Sequence, residues 1–303
     1  MSPFVLATLA FVLLQHPTGE GRPAHTVLPE EGQSLPFQLA GGSPVVECEI
    51  DGRGPFRMLV DTGAAVPVLD ERLASELELT VLGETAIGDP SDPSAVRARR
   101  VHVDEIRLGD AAFEDMTAVS WKVSAGLLPP GVRGILGLPL FAECTCTLDY
   151  PRAELRLQKE PLPEPDGKSV LALTRDPESG LFTLPIRVAD VECVACLDSG
   201  NSASLVLPAE LESRLPLVPG SRKEGRGLRA SGEVAFVIAR LDGRVRIGSA
   251  ELERPEVRFA AGSKANLGYE MLRHFAVAID ARNGRIRFES PAASDPAHPA
   301  ERK

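Results

Sequence analysis

The chain has 303 residues and a formal net charge of −10, with 27 Gly, 26 Pro and 5 Cys. That length holds one large domain or two lobes with cores of their own. The acidic balance excludes a surface built for phosphate backbones, so no nucleic-acid partner is expected, and frequent Gly and Pro favour short strands joined by turns over long helices.

The first element is the apolar run Pro3–Leu14. It has the length of a signal-peptide core and is too short for a bilayer span, which takes about 20 apolar residues. No Lys or Arg precedes the run and no small-x-small site follows it, so residues 1–18 form an imperfect export signal. The expectation is a secreted or periplasmic protein, with an uncleaved anchor or a misassigned start as the alternatives. No later run is long enough for a stable membrane span. Residues 19–34 show no periodicity and read as a flexible segment.

Next comes "FRMLVDTGAAVPVLD", Phe56 to Asp70, in which an apolar strand carries Asp61 into a Thr62-Gly63 turn before a second apolar strand. A short helix follows, with Asp70 as its expected N-cap. A single Asp at such a turn is ordinarily structural, satisfying local backbone donors. The same arrangement recurs, however. "MLVDTGAAVPVLDERLASELEL" (Met58–Leu79) has a counterpart in "ACLDSGNSASLVLPAELESRLPL" (Ala195–Leu217), which matches Asp61 with Asp198, Thr62 with Ser199 and Gly63 with Gly200. Pro208 is expected at the first position of the second helix.

Two further blocks repeat in the same order. "VHVDEIRLGDA" (Val101–Ala111) resembles "ARLDGRVRIGSA" (Ala239–Ala250). "GILGLPLFAECTCTLDYPRAELRL" (Gly134–Leu157) aligns without a gap on "ANLGYEMLRHFAVAIDARNGRIRF" (Ala265–Phe288). Three blocks in one order imply two equivalent lobes, at 35–159 and 169–290. Between them, residues 160–168 are rich in Pro and charge and read as an extended linker. Residues 291–303 have no periodicity and read as a disordered tail.

Two carboxyls brought together on an axis between such lobes would share one proton, because both cannot ionise at short range. One then serves as base and the other as acid, and a water between them can be turned on a peptide carbonyl. Other chemistries lack their residues. There is no HExxH, GxSxG, P-loop or helix-opening GxGxxG, and the five His are scattered. Cys193 and Cys196 are three apart on a strand and point to opposite faces, so a zinc or redox pair is not expected there. A bridge from Cys48 to Cys144 or Cys146 stays open. Trp121, Tyr150 and Tyr269 read as structural. No metal or cofactor is expected.

With "LVDTGA" (Leu59–Ala64), "CLDSGN" (Cys196–Asn201), "ILG" (Ile135–Gly137) and "NLG" (Asn266–Gly268), the sequence resembles the pepsin/retropepsin-like aspartic proteases, most closely the bacterial two-lobed members. The resemblance covers about 250 residues. It implies an all-β fold of two homologous β-barrel-like lobes related by a pseudo-twofold axis, with short helices and a cleft between the lobes. It implies an aspartic endopeptidase whose catalytic residues are Asp61 and Asp198. Thr62, Gly63, Ser199 and Gly200 would then build the active-site turns, and a peptide or protein would be the substrate. Since both halves of the site lie in one chain, a monomer is expected.

Some positions depart from the pepsin pattern. Ala64 and Asn201 follow the two glycines, Asn266 replaces an aliphatic residue, and no Tyr lies in the flap expected at 86–99, tipped by 89–94. Its counterpart is 225–236. The alternative reading is a catalytically silent protease-like protein that binds peptides in the cleft; a carboxylate-pair glycosidase is remote, given the repeated lobes.

Overall fold

The computed structural model describes residues 7–8, 21–87, 96–123, 127–177, 179–229 and 232–290. Most of the apolar N-terminal run, both flap tips and the 291–303 tail lie outside the described residues.

The architecture is all-β and two-lobed, with only short helical turns such as Glu71–Glu76, Ala209–Arg214 and Tyr269–Leu272. In the first lobe, six strands close on themselves. Ala111–Trp121 pairs with Val68–Asp70 and with Val96–Leu108. Val68–Asp70 then pairs with Val132–Gly137, which pairs with Arg53–Asp61. Ser43–Ile50 completes the ring between Arg53–Asp61 and Val96–Leu108. Closure leaves no long open edge in the ring. Along Val96–Leu108 the inward residues are Ala98, Val101, Val103, Ile106 and Leu108, all buried, while charged residues alternate outward. That alternation is the period-2 signature of a half-buried strand.

The second lobe repeats this plan with shorter pieces. Ala265–Leu267 lies between Val191–Leu197 and Leu205–Pro208, as Val132–Gly137 does between its neighbours. The two long strands of lobe one are each split here, into Gly232–Arg240 with Arg244–Ile247 and Ala250–Glu253 with Glu256–Ala260. The breaks fall at the Asp242-Gly243 turn and at Arg254-Pro255, where Arg254 takes a positive φ and Pro255 has no N–H for a ladder.

A six-stranded sheet joins the lobes, in the order Val170–Ala172, Arg285–Glu289, Ala276–Asp280, Thr145–Asp149, Glu154–Gln158, Gln33–Pro36. Its register is symmetric. Thr147 pairs with Ala278, and Thr145–Asp280 mirrors Asp149–Ala276. The ends match too, with Leu155 opposite Leu35 and Ile286 opposite Leu171. Buried apolar side chains run continuously from both lobes through this sheet, so the halves share one core.

Two expectations need correction. Residues 19–34 are not a loose segment in the described part: His25–Val27 pairs with Ala111–Trp121, Gln33–Pro36 joins the inter-lobe sheet, and Leu28 is buried. Both pairings are with strands distant in sequence, so no local periodicity announces them. The 160–168 linker has no strand or helix of its own and is anchored at Leu162. Leu162 is buried against Val170 and Ala278, and its N–H donates to Asp280 Oδ2 at 3.1 Å. Pro208 ends a strand and serves as the N-cap, and the turn after it is 3-10 rather than α. Asp70 does cap its helix, accepting from the Arg72 N–H at 2.9 Å.

Candidate active site

The strand Arg53–Asp61 becomes fully buried over its last four residues, and Asp61 ends it. The equivalent strand Val191–Leu197 delivers Asp198 from the other lobe. Asp61 and Asp198 have 0% and 1% exposure. Under each turn runs the Gly-containing strand, with Gly137 opposite Asp61 and Leu267 opposite Leu197. A Cβ at Gly137 would lie 2.8 Å from the Ala64 carbonyl oxygen, and one at Gly268 2.3 Å from that of Ala203, so only glycine lets the turns settle this low.

The turns interlock across the axis. Thr62 N–H donates to Ser199 Oγ at 3.0 Å and Thr62 Oγ1–H to the Leu197 carbonyl at 3.0 Å. In return Ser199 N–H donates to Thr62 Oγ1 at 3.0 Å and Ser199 Oγ–H to the Val60 carbonyl at 2.8 Å. Each hydroxyl thus accepts one bond and donates one, and all four groups are buried. Glycine is needed at the next position. A Cβ on Gly63 would stand 2.7 Å from Asp198 Cγ, and one on Gly200 would stand 2.5 Å from Asp61 Oδ2. Each turn's glycine therefore lies against the opposite lobe's carboxyl. Ser43, buried on a first-lobe strand, donates to the Gly200 carbonyl and further ties the second turn to the first lobe.

Donors reach one oxygen of each carboxyl. Gly63 N–H at 2.8 Å and Gly200 N–H at 3.3 Å both donate to Asp61 Oδ1. Asn266 Nδ2 donates to Asp198 Oδ2 at 2.6 Å. The remaining oxygens, Asp61 Oδ2 and Asp198 Oδ1, are buried without a partner. The two carboxyls are within hydrogen-bonding reach of one another, and a single proton between them would satisfy both. Burial, and then the Asp198 charge, raises the Asp61 pKa well above the ordinary carboxylate range. Burial also raises Asp198, and the Asn266 amide is the largest influence pulling it back down.

Another pair of equivalent aspartates shows the contrast. Asp149 and Asp280 are also buried, but Asp149 meets Arg152 and Arg156, while Asp280 accepts from Leu162 and Asn283. All four of their oxygens are matched, as structural carboxylates require. Among the buried carboxyls of the described residues, only Asp61 and Asp198 keep an orphan oxygen each.

The structure brings together every residue singled out from the sequence: Asp61, Thr62, Gly63, Asp198, Ser199 and Gly200. Asn201, Asn266 and Ser43 also support the turns, and no sequence motif assigns them that part. The signal for the two asparagines was the loss of repeat symmetry, since Ala64 and Ile135 occupy the matching positions. Trp121 is buried in a cluster with Leu59, Ala64 and Ile135. Tyr150 stacks edge-on with Phe37 and lies 5.9 Å, centroid to centroid, from Tyr269. All five cysteines are free. Burial pushes the Cys48 and Cys144 thiols up to about 12, which leaves them unreactive. At the places expected for the two flaps, the flanking strands pair Ile87 with Val96 and Arg229 with Gly232. No group of metal-binding side chains occurs among the described residues, nor any helix long and apolar enough to cross a membrane.

A two-lobed β fold with paired Asp-Thr/Ser-Gly turns meeting on its axis is that of the pepsin/retropepsin-like aspartic proteases, and the chain resembles that clan in both fold and sequence. Residues 46–140 match the family described as aspartyl protease. No curated protein matches the chain by sequence. Among solved structures, the aspartic proteinase from Irpex lacteus is similar at 13% identity and a TM-score of 0.54, over 88% of this chain and 99% of that one. Basic 7S globulin from soybean is similar at 13% identity and a TM-score of 0.50, over 87% of this chain and 96% of that one. One of these is named a proteinase and the other a globulin, so these likenesses show the fold and not the activity.

Proposed function

We propose that the protein is an aspartic endopeptidase and that Asp61 and Asp198 are its catalytic dyad. One observation carries this reading: two buried carboxyls, equivalent across the axis, each keep one oxygen unmatched beside the other. A structural aspartate would be satisfied, as Asp149 and Asp280 are. An unmatched buried oxygen is costly, of the order of 1–3 kcal/mol, and is retained where it has work to do.

The chemistry follows from one shared proton. The ionised carboxylate takes a proton from a water held between the two groups, and the resulting oxygen attacks the scissile carbonyl carbon. The protonated carboxyl gives its proton to the carbonyl oxygen, leaving a neutral tetrahedral diol. Collapse returns a hydroxyl proton to one carboxylate while the other delivers its proton to the departing nitrogen. The pair ends as it began, having consumed one water. Protein donors to Asp61 Oδ1 and Asp198 Oδ2 hold the carboxyls in place throughout.

The second reading is a silent peptide-binding protein, and the likeness to a globulin keeps it in view. A peptide library incubated with the full chain from about pH 3 to about pH 8, with EDTA present, separates the two. Cleavage products in mass spectra support the peptidase. Binding that strengthens as the carboxyls ionise, without products, supports the silent protein. Cleavage abolished by EDTA and restored by zinc would overturn the metal-free mechanism.

A further inference from the structure

Ala203, Asn201, Asn266 and Asp198 form a one-way chain of hydrogen bonds. Ala203 N–H donates to Asn201 Oδ1 at 2.8 Å, Asn201 Nδ2 donates to Asn266 Oδ1 at 2.7 Å, and Asn266 Nδ2 donates to Asp198 Oδ2 at 2.6 Å. Both asparagines are buried. A backbone N–H can only donate, so the Asn201 carbonyl must face Ala203 and its NH2 must face Asn266. The same constraint turns the Asn266 carbonyl toward Asn201 and its NH2 toward Asp198. The direction of the chain is therefore fixed by the backbone, and a donor is enforced at Asp198 that a flipped amide would not supply.

The first lobe has no such chain. Ala64 stands at the place of Asn201 and Ile135 at that of Asn266, and neither carries a polar side chain. Backbone donors do not compensate fully. Asp61 takes its own turn's Gly63 N–H and, at the longer distance of 3.3 Å, the opposite Gly200 N–H, while the Asn201 N–H of the second turn goes to the Asp198 main-chain carbonyl. Hydrogen bonds to a carboxylate favour its charged form, and a short one from a buried amide does so strongly.

We propose that Asn266, oriented by Asn201, is a positioning residue that makes Asp198 the ionised base of the pair and leaves the shared proton on Asp61. The proposal rests on the dyad reading above. The other titratable groups facing Asp198 are Asp61, the Tyr150 hydroxyl and the Cys196 thiol. Burial raises Tyr150 and Cys196, so both stay neutral while the dyad titrates. Lys264 and Asp176, paired at 2.9 Å, act on Cys196 with opposite signs.

The test is a carbon-13 carboxyl NMR titration of the full chain, with Asp61→Asn and Asp198→Asn used for assignment. In the wild type Asp198 should ionise first. In Asn266→Leu the lower of the pair's two macroscopic pKa values should rise by about one pH unit. In Asn201→Ala, where Asn266 stays but is no longer held in one orientation, it should rise by less and in the same direction. The acid limb of kcat/KM should follow these shifts. A merely structural Asn266 would lower stability and leave the titration where it was. Asp61 ionising first in the wild type would overturn the proposal even if neither variant folds, as would an unmoved lower pKa in a folded Asn266→Leu protein. The titration needs no substrate. A chain that cuts nothing yet titrates as described would sink the peptidase and keep the relay, and an active chain with an unmoved titration would do the reverse.

Discussion

Thr147 pairs with Ala278, its own counterpart in the other lobe, at the centre of the inter-lobe sheet. An antiparallel pair in which a residue faces its equivalent has a local twofold axis through that pair. Asp61 and Asp198 are equivalent under the same relation, which is why two carboxyls nearly 140 residues apart meet. The symmetric register and the dyad are thus one geometric fact seen at two levels.

From this follows the behaviour of half the molecule. A fragment of residues 21–159 retains the first barrel but exposes Thr145–Asp149 as an unpaired edge, a template for a second copy. Two fragments can pair there in the same antiparallel sense, with Thr147 opposite Thr147. The fragment is expected to self-associate and to be inactive wherever it is monomeric, because it holds one Asp turn. Light scattering coupled to size exclusion, with cleavage assayed on each fraction, checks this. Activity in a monomer fraction would contradict a site shared between lobes.

The two dyad residues should differ from the satisfied aspartates in what their loss does. Asp61→Asn or Asp198→Asn is expected to cut turnover by about a hundredfold or more while the protein stays folded, since each removes one partner in proton transfer. Asp149→Ala strands Arg152 and Arg156 beside a buried gap, and its effect should be on stability, about 2–4 kcal/mol. Denaturant curves and initial rates on the same preparations separate the two outcomes.

Thr62 offers a third check. Thr62→Val keeps the shape of the side chain but leaves the Ser199 N–H without an acceptor and the Leu197 carbonyl without a donor, both buried. Loss of two such partners should cost about 2–4 kcal/mol. Thr62→Ser keeps the hydroxyl and should recover most of that. A Val variant as stable as the wild type would mean that the cross-lobe bonds contribute little to holding the turns together.

Much of this site is legible in the sequence. The repeat placed Asp61 with Asp198 and Thr62 with Ser199, because side chains that serve one axis must recur in both halves. Asn201 and Asn266 break the repeat, and sequence alone registered them only as departures. Their meaning depends on which way each amide faces, and that is set by the Ala203 N–H, a backbone group no sequence pattern displays. Long-range pairing hid other features. Nothing local in His25–Val27 says that its partner is Ala111–Trp121, and the polar 160–168 linker gives no hint that Leu162 is buried against the second lobe.

The buried pair also ties stability to pH. Asp61 has a folded pKa raised above its usual 3.8, through burial and the Asp198 charge. The folded state therefore holds a proton that the unfolded chain releases near pH 4. Its stabilising contribution is complete below the unfolded pKa and is lost as pH rises through the folded one, with a limiting slope of about 1.4 kcal/mol per pH unit for one proton. Asp166 acts in the opposite sense. It accepts from Ser169 Oγ and from the N–H groups of Lys168, Ser169 and Val170, which lower its pKa, so its contribution fades as pH falls below the ordinary carboxylate range. Stability should thus be greatest in mildly acidic solution and decline toward neutral and alkaline pH. In Asp61→Asn no second charge can form in the pair, so the decline on the alkaline side should flatten while the acid side is unchanged. Chemical denaturation midpoints measured across the pH range for both proteins read this directly. A wild type whose stability rises from mildly acidic to alkaline pH, or an Asp61→Asn variant with the same alkaline slope as wild type, would show that the buried pair does not retain its proton as the folded state requires.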